Sequence, residues 1–434
     1  MSDARAFRAS ILHCLADPGS SATPDNVEYF EDGVLVVASG CVSEIGPAET
    51  VLASLSPDVD VMDYSGKLII PGMIDCHVHY PQTDIIASYG EQLLDWLTRY
   101  AYPEEQKFVD AEYASEIANV FSDELLRNGT TTALVFSTVH PQSVDAMFAA
   151  AKQRNMRLVT GKVLMDRNCP DSLRDTAESA YSESRQLIEK WHGDGRLGYA
   201  ITPRFAVTSS EAQLAAMGKL AAEFPDVHIH THLAENDDEC EFVAQQFPWS
   251  RSYLDVYKRF GLVRERSVFA HCLHLDGEDR RTMAKEKAAI AFCPTSNLFL
   301  GSGLFDLKAA TDAGIRVGVG TDVGGGTSFN MLRTLSEGYK VLHLQNQSLP
   351  PYKALYLATL GGAEALCLDD RIGNFRAGKE ADFIVLDSAA SPTTARRLAH
   401  GNDVAEKLFA FVMLGDDRAV AATYIMGNRI IPAN

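Results

Sequence analysis

The sequence lacks the features that mark membrane, secreted and disulfide-rich proteins. No apolar run reaches the roughly 18 residues that a membrane-spanning helix needs, and the N-terminal MSDARAFRAS has no apolar segment typical of a secretory signal. Eight cysteines are scattered over 434 residues without a CxxC pair, which is too sparse for a disulfide scaffold. We therefore expect reduced thiols in a cytoplasmic protein.

Basic residues are scarce relative to acidic ones. Lys and Arg number 39 against 58 Asp and Glu, which gives a formal net charge of −19. A chain this acidic is a poor electrostatic partner for nucleic acid or for an anionic membrane. We expect neither as a partner, and the charge gives no indication of a substrate.

Two motifs of nucleotide chemistry are also absent. The stretch GVGTDVGGG, residues 318–326, does not have the GxGxxG spacing of a dinucleotide-binding turn. The chain contains no PCxxC, so it cannot form the zinc site of the cytidine deaminase class.

The two ends of the chain differ from its middle. Residues 1–67 and 371–434 consist of short β-rich runs separated by turns such as Asp32-Gly33. The middle, residues 68–370, alternates β-rich runs with stretches of helical periodicity. This pattern predicts a small β-sandwich domain formed by both termini around a larger α/β domain.

Eight β–α alternations in the middle predict a (β/α)₈ TIM barrel. A doubly wound sheet is the competing architecture, and the regular eightfold repeat favours the barrel. The predicted strands lie at residues 68–79, 131–138, 157–166, 197–205, 227–235, 267–275, 288–297 and 315–322.

The first predicted barrel strand carries two histidines one residue apart, His77 and His79. Side chains at positions i and i+2 of a strand share a face, so both imidazoles point the same way and can bind one ion at about 2 Å each. The pair could also be coincidental, and the decision depends on the other strands.

Three further strands end in residues that bind metals. His232 ends the fifth strand, His271 the sixth and Asp322 the eighth, whereas His228 and His230 lie deeper and are expected in the core or behind a ligand. Barrel enzymes keep their sites at this end of the strands. The coincidence predicts a catalytic divalent metal site whose nitrogen and carboxylate donors suit Zn²⁺ or Fe²⁺ better than Mg²⁺ or Ca²⁺.

Glu235 follows His232 by three residues, just beyond the predicted strand. An acid at this position could begin a helix or form a loop ion pair. Beside the predicted metal, we interpret it as a proton shuttle.

The segments PGMIDCHVH, HTHLAE, AHC and GVGTD occur in an order that resembles the metal-dependent amidohydrolase superfamily. The resemblance implies a (β/α)₈ barrel flanked by a β-sandwich from both chain ends. Binuclear members carry a carboxylated lysine at the end of strand four, where this chain has Arg204, and Lys162 lies in the middle of strand three. The chain therefore resembles the mononuclear deaminase branch. That branch implies one metal ion bound by His77, His79, His232 and Asp322, with His271 orienting the attacking water.

Within that branch the chain resembles the guanine deaminase family. The resemblance is carried by HVHYPQTD with the following YGEQLLDWLTRYAYPEE, by TPRFAVTSS and by CPTSNLFLGSG. It implies hydrolysis of guanine, a small purine, to xanthine and ammonia by a metal-activated water. It also implies that Gln82 and Arg204 read the polar edge of the ring, that Phe205 packs against it, and that the enzyme is a homodimer.

The same resemblance implies the proton chemistry. Asp322 would take a proton from the water, and Glu235 would protonate ring N3. We interpret Trp96, spaced with Leu93 and Leu97 as on one helix face, as a core residue outside the site.

Two alternatives stay open. The chain could be an aminohydrolase of another purine, a pyrimidine or a triazine, because the sequence does not reveal the shape of the pocket. It could also be a non-catalytic relative, although such proteins usually lose metal ligands and this chain keeps them all.

Overall fold

The computed structural model describes residues 4–20, 25–90 and 92–432. These residues form the following strands, numbered along the chain: β1 Ala4–Cys14, β2 Val27–Ala38, β3 Cys41–Pro47, β4 Asp60–Pro71, β5 Met73–His79, β6 Thr130–Phe136, β7 Arg157–Gly161, β8 Val163–Leu164, β9 Leu197–Pro203, β10 His228–Leu233, β11 Ser267–His271, β12 Ala289–Phe292, β13 Arg316–Val319, β14 Phe383–Asp387, β15 Val420–Ile425 and β16 Asn428–Ile430.

Helices separate most of these strands. They are α1 Ala48–Ser54, α2 Leu93–Trp96, α3 Tyr102–Glu105, α4 Ala111–Arg127, α5 Pro141–Gln153, α6 Ala177–Trp191, α7 Glu211–Glu223, α8 Asp237–Gln246, α9 Tyr253–Arg259, α10 Gly277–Lys285, α11 Pro294–Phe299, α12 Leu307–Asp312, α13 Met331–His343, α14 Pro351–Ala358, α15 Leu360–Ala365, α16 Pro392–Ala399 and α17 Val404–Leu414. Residues Leu97–Ala101 form a π-helical turn that joins α2 to α3.

The middle of the chain is a barrel of eight parallel strands, which confirms the predicted fold class. Neighbouring strands follow the order β5, β6, β7, β9, β10, β11, β12 and β13, and β8 extends the pairing of β7 with β9. Two backbone hydrogen bonds join β5 to the segment that follows β13. The amide of Asp322 donates to the carbonyl of His77, and the amide of His79 donates to the carbonyl of Val323, each over 2.9 Å.

The barrel strands are short and apolar because both of their faces are covered. Every residue of β5, β6, β7, β11 and β12 is buried, as expected for parallel strands between a packed interior and an outer layer of helices. Several of the helices start at side-chain caps. For example, Asp110 accepts from two amides of α4, and Ser210 accepts from the third residue of α7.

Strands from both chain termini form a second sheet, in the order β16, β15, β14, β4, β1, β2 and β3. All its pairs are antiparallel except β1 with β4. The predicted strand at residues 68–79 is divided between the two sheets, since residues 68–71 pair with β14 and β5 begins at Met73. Gly72 separates them, and a side chain there would collide with Thr131.

The predicted domain limits at residues 67/68 and 370/371 stay a prediction, and residues 1–3, 21–24 and 433–434 of the terminal ranges lie outside the described residues. In the part of the chain that the structure describes, no helix is both long and apolar enough to cross a membrane. All eight cysteines are free, consistent with the thiols expected from the sequence.

Candidate active site

Three barrel strands bring four metal-binding side chains to one point, which we call the ligand cluster: His77, His79, His232 and Asp322. His77 and His79 lie in β5, His232 lies in β10, and Asp322 follows the end of β13. One ligand atom of each residue lies within 4.8 Å of the others, and all four side chains are buried. The backbone bonds that join β5 to the segment after β13 fix the two ends of the cluster against each other.

The spacing of these atoms fits a small cation. The Nε2 atom of His79 lies 3.2 Å from the Nε2 atoms of both His77 and His232. Asp322 Oδ1 lies 3.1 Å from His77 Nε2 and 3.3 Å from His79 Nε2. Ligands placed tetrahedrally at about 2.0–2.1 Å from an ion are about 3.3 Å apart. Three nitrogens and one carboxylate oxygen at this spacing form a site for a divalent metal ion.

The hydrogen bonds behind the histidines favour the same conclusion. His232 Nδ1 lies 2.7 Å from the backbone carbonyl of Arg204, and because a carbonyl only accepts, that nitrogen carries the proton and Nε2 presents its lone pair. His77 Nδ1 lies 2.7 Å from Nε2 of His230. Such outer contacts orient metal-binding imidazoles.

The protonation states suit metal binding as well. Burial lowers the pKa of His79 to about 3 and the pKa of His232 well below its ordinary value. Burial alone would raise the pKa of Asp322, but His77 and the other histidines outweigh it and hold that pKa well below its usual range. The cluster therefore presents neutral imidazoles and an ionised carboxylate.

Asp75 supports the ligand cluster from inside the barrel and was not predicted from the sequence. Its carboxylate accepts from the amide of His77 over 3.1 Å, from the amide of Thr321 over 3.0 Å and from the hydroxyl of Thr321. It therefore ties β5 to the residue before Asp322. Burial raises the pKa of Asp75 to about 7. The signal available in the sequence was an acid within the otherwise apolar run before His77.

Two site residues have left-handed backbone conformations, His271 with φ of 71° and Asp322 with φ of 52°. For residues with a side chain this conformation costs of order 1–3 kcal/mol and persists where the surrounding structure enforces it. Both residues stand where a barrel strand gives way to its loop, and the turn directs their side chains toward the cavity above the ligand cluster.

Glu235 is buried beside the ligand cluster. Its Oε2 lies 3.3 Å from His271 Nε2, and its Oε1 accepts from the hydroxyl of Ser302 over 3.1 Å. Burial, together with the negative charge of Asp322, raises the pKa of Glu235 to about 8. Helix α8 is capped by Asn236 and Glu239, so the carboxyl group of Glu235 is not needed to start that helix.

His271 faces the same part of the cavity. Its Nδ1 lies 2.8 Å from the side-chain oxygen of Asn297, an acceptor, so Nδ1 carries the proton. Its Nε2 lies 3.3 Å from Glu235 and 3.7 Å from Asp322 Oδ2. The free nitrogen of His271 thus lies between two carboxyl groups, one protonated near neutral pH and one ionised.

A further group of polar residues, which we call the polar edge, consists of Gln82, Glu105 and Arg204. Gln82 and Arg204 line the cavity, and Glu105 contacts both of them. Arg204 Nη1 donates to both oxygens of Glu105, over 2.8 and 2.6 Å, and Gln82 Nε2 donates to Glu105 Oε1 over 3.2 Å. All three side chains are buried. Burial alone would lower the pKa of Arg204, but Glu105 and Tyr102 outweigh it and raise that pKa above its ordinary value. Glu105 was not predicted from the sequence, since nothing local distinguishes it from Glu104.

Apolar side chains form the rest of a cavity of about 380 Å³, counted with its open mouth. Phe205 lies on one wall, and the segment around α2 covers the cavity with Trp96. Trp96 is 3% exposed, so it belongs to the core as interpreted, but it also lines the cavity. The remaining apolar lining residues are Leu93, Leu97 and Leu300.

The structure brings every sequence-predicted site residue to this cavity or to the cluster at its base: His77, His79, Gln82, Arg204, Phe205, His232, Glu235, His271 and Asp322. Other candidates lie elsewhere. His228 contacts the carbonyl of Leu366 at 2.8 Å, and Lys162 pairs with Asp175.

Comparisons with known proteins agree with this geometry. The sequence profile of the amidohydrolase family matches residues 68–430. The guanine deaminase of Escherichia coli is 52% identical over 94% of this chain and 93% of its own length. The solved structure of the E. coli guanine deaminase superposes with a TM-score of 0.95, at 50% identity over 99% of this chain and all of that one.

A second solved structure, of the guanine deaminase from C. acetobutylicum with guanine bound in its active site, superposes with a TM-score of 0.88. It is 28% identical and covers 99% of this chain and all of that one.

Proposed function

The chain belongs to the amidohydrolase family and, within it, to the guanine deaminases, and from this premise we propose how its residues convert guanine to xanthine and ammonia. The observation that carries the proposal is that one cavity joins the ligand cluster, the acid Glu235 and two residues of the polar edge, Gln82 and Arg204. Metal ligands, a proton donor and ring-binding groups therefore face one small molecule.

We propose that the polar edge binds guanine and that Phe205 packs against its ring. Arg204 has donors beyond those held by Glu105, and the O6 carbonyl of guanine is an acceptor that suits them. Gln82 carries both a donor and an acceptor for the same edge of the ring. Binding in this way turns C2 and its amine toward the ligand cluster on the opposite side.

We propose that the ligand cluster holds one divalent ion and that this ion is Zn²⁺. Three imidazoles and one carboxylate in a closely spaced set suit Zn²⁺, and Fe²⁺ is the alternative with the same donor preference. When bound, such an ion makes water a stronger acid and so supplies a nucleophile near neutral pH.

The chain's own groups then move the protons. Asp322 accepts a proton from the attacking water as a C–O bond forms at C2, and His271 orients that water. Glu235, protonated near neutral pH because its pKa is raised to about 8, donates to ring N3 and makes C2 electrophilic. Asp322 then passes the proton that it took from the water to the exocyclic amine, and the C2–N bond breaks as ammonia leaves. The C2 hydroxyl returns a proton to Glu235, and xanthine remains. Acid–base steps of this kind contribute about 10²–10⁴-fold each.

Turnover of guanine tests the proposal. The purified, metal-loaded protein should convert guanine, seen as a change in purine absorbance with one ammonia released per ring, and should leave adenine and cytosine unchanged. Turnover of either of those rings without guanine would instead assign it to another aminohydrolase.

The variant Glu235→Gln tests the assigned proton donor. It should keep its metal and lose about 10²–10⁴-fold in kcat. Glu241→Gln, on the exposed side of α8, is the matched control and should match the unmodified protein. Full activity in Glu235→Gln would overturn the assignment.

The cytoplasmic location expected from the cysteines and the homodimer expected from the resemblance stay predictions. Light scattering after gel filtration measures the second directly.

A further inference from the structure

We propose that Glu105 is a positioning residue that makes the cavity selective for rings with a carbonyl at C6. It would do so by fixing the donor groups of Gln82 and Arg204. This inference rests on the proposed function, because it concerns the ligand that the same cavity binds.

Glu105 is enclosed by the two residues that it would position. It ends helix α3 and is 1% exposed. Both of its oxygens accept from Arg204 Nη1, and one also accepts from Gln82 Nε2. Glu105 does not line the cavity itself, so its effect on a ligand must pass through these two neighbours.

The contacts of Gln82 permit one orientation of its amide. Its nitrogen donates to Glu105 over 3.2 Å, and its oxygen accepts from the backbone amide of Gly324 over 3.1 Å. An ionised carboxylate only accepts, and a backbone amide only donates. A flipped Gln82 would place acceptor against acceptor and donor against donor. The orientation held by Glu105 leaves one N–H and one lone pair of Gln82 for a ligand.

Arg204 is fixed in a similar way. Glu105 engages Nη1, so the guanidinium keeps the donors on Nη2 and Nε, and the ring of Tyr102 lies 5.4 Å from the guanidinium carbon. The positive charge is balanced by the adjacent carboxylate. Because the pair of Arg204 and Glu105 has no net charge, the remaining N–H donors of Arg204 favour a neutral carbonyl oxygen over an anion.

The neighbouring Glu104 provides a matched control. It lies on the same turn of α3 but faces the other way, with one oxygen 2.6 Å from the ammonium group of Lys107 and the other accepting from the hydroxyl of Tyr113. Glu104 and Glu105 thus lie in the same helix, carry the same charge and are both buried. They differ in that only Glu105 contacts Gln82 and Arg204.

The experiment measures the competitive inhibition constants of two unreactive purines. Hypoxanthine carries the C6 carbonyl without the amine, and unsubstituted purine carries neither. In Glu105→Gln the inhibition constant of hypoxanthine should rise about 10–100-fold, as expected for losing a charge-assisted contact, while that of purine changes less than about twofold. For guanine, KM should rise more than kcat falls. Metal content should be unchanged, and Glu104→Gln should match the unmodified protein.

Equal weakening of both purines, or no change in either, would show that Glu105 has only a structural role. If Glu105→Gln does not fold, Glu105→Asp replaces it, since the shorter side chain keeps the charge but withdraws it from Gln82. We expect Glu105→Asp to lose less of the preference for hypoxanthine over purine than Glu105→Gln would. A Glu105→Asp protein that kept the whole preference would overturn the proposal. Calorimetric binding of the two purines needs no turnover. A protein that fails to deaminate guanine would therefore refute the proposed function and leave this comparison intact.

Discussion

The two sides of the cavity are built in different ways. The ligand cluster stands on the ends of barrel strands, where the backbone hydrogen bonds of the barrel set the distances between side chains. The polar edge draws Gln82 from the 3-10 helix Tyr80–Ile85 after β5, Glu105 from α3 and Arg204 from the end of β9. The ion pair between Arg204 and Glu105 holds it together. The barrel strands thus fix the ligand cluster, whereas the polar edge also depends on segments that connect the strands, where binding residues are often found.

The largest effect should come from removing a residue of the ligand cluster. His232→Ala removes one of the four metal-binding atoms, so the variant should lose stoichiometric metal and at least about a thousandfold in guanine turnover. Elemental analysis and a turnover assay measure both. His274→Ala is the control, because His274 lies beyond β11, partly exposed and next to Asp237. A His232→Ala protein with full metal content would contradict the assignment of the ligand cluster.

A smaller effect is expected from a change in the polar edge. Arg204→Lys keeps the charge but loses the planar set of donors, so kcat/KM for guanine should fall about 10–100-fold, mainly through KM, with metal content unchanged. Steady-state kinetics and elemental analysis test this, with Arg251→Lys at a surface ion pair as the control. Loss of metal in Arg204→Lys would mean that the two sides do not act separately.

The support behind the ligand cluster should matter less than the ligands themselves. His230 contacts His77 Nδ1 at 2.7 Å, and loss of such an outer contact weakens metal binding by about tenfold or somewhat more. Competition with a chromophoric chelator should show this for His230→Gln, with activity restored by excess metal. Unchanged metal affinity would assign His230 to packing alone.

The smallest effect should be a shift along the pH axis. Glu235 acts as an acid in its protonated form, so activity should fall as pH rises through its pKa of about 8. The hydrogen bond from Ser302 stabilises the ionised carboxylate and lowers that pKa. Ser302→Ala should therefore move the alkaline limb of kcat/KM to higher pH, by less than about one unit. A shift of the alkaline limb to lower pH would contradict the role assigned to the Ser302 hydrogen bond.

This division matches what the sequence could predict only in part, because Gln82 and Arg204 were predicted from the family resemblance. HxH in a strand, and a histidine or an aspartate at the ends of three other strands, follow from strand periodicity and barrel topology, both of which are local or repetitive. Glu105 differs from Glu104 only by the side of a short helix it faces, which depends on tertiary packing. Trp96 fits a helix core and lines the cavity as well, and the helical pattern alone cannot separate these roles.

Asp75 and Ser302 could not be assigned for a related reason. Each acts on a site residue, Asp75 through the amides of His77 and Thr321 and Ser302 through Glu235. Apart from the contact between Asp75 and the nearby His77, those contacts form only when segments far apart in the chain are folded together.

The most direct test of this account is a crystal structure of the Glu235→Gln variant with Zn²⁺ and guanine, with anomalous diffraction recorded at the zinc edge. We predict a single anomalous peak about 2 Å from His77, His79, His232 and Asp322, with the guanine O6 beside Arg204 and C2 toward the metal. A peak elsewhere, a second metal within the cavity, or guanine bound with O6 away from Arg204 would contradict it.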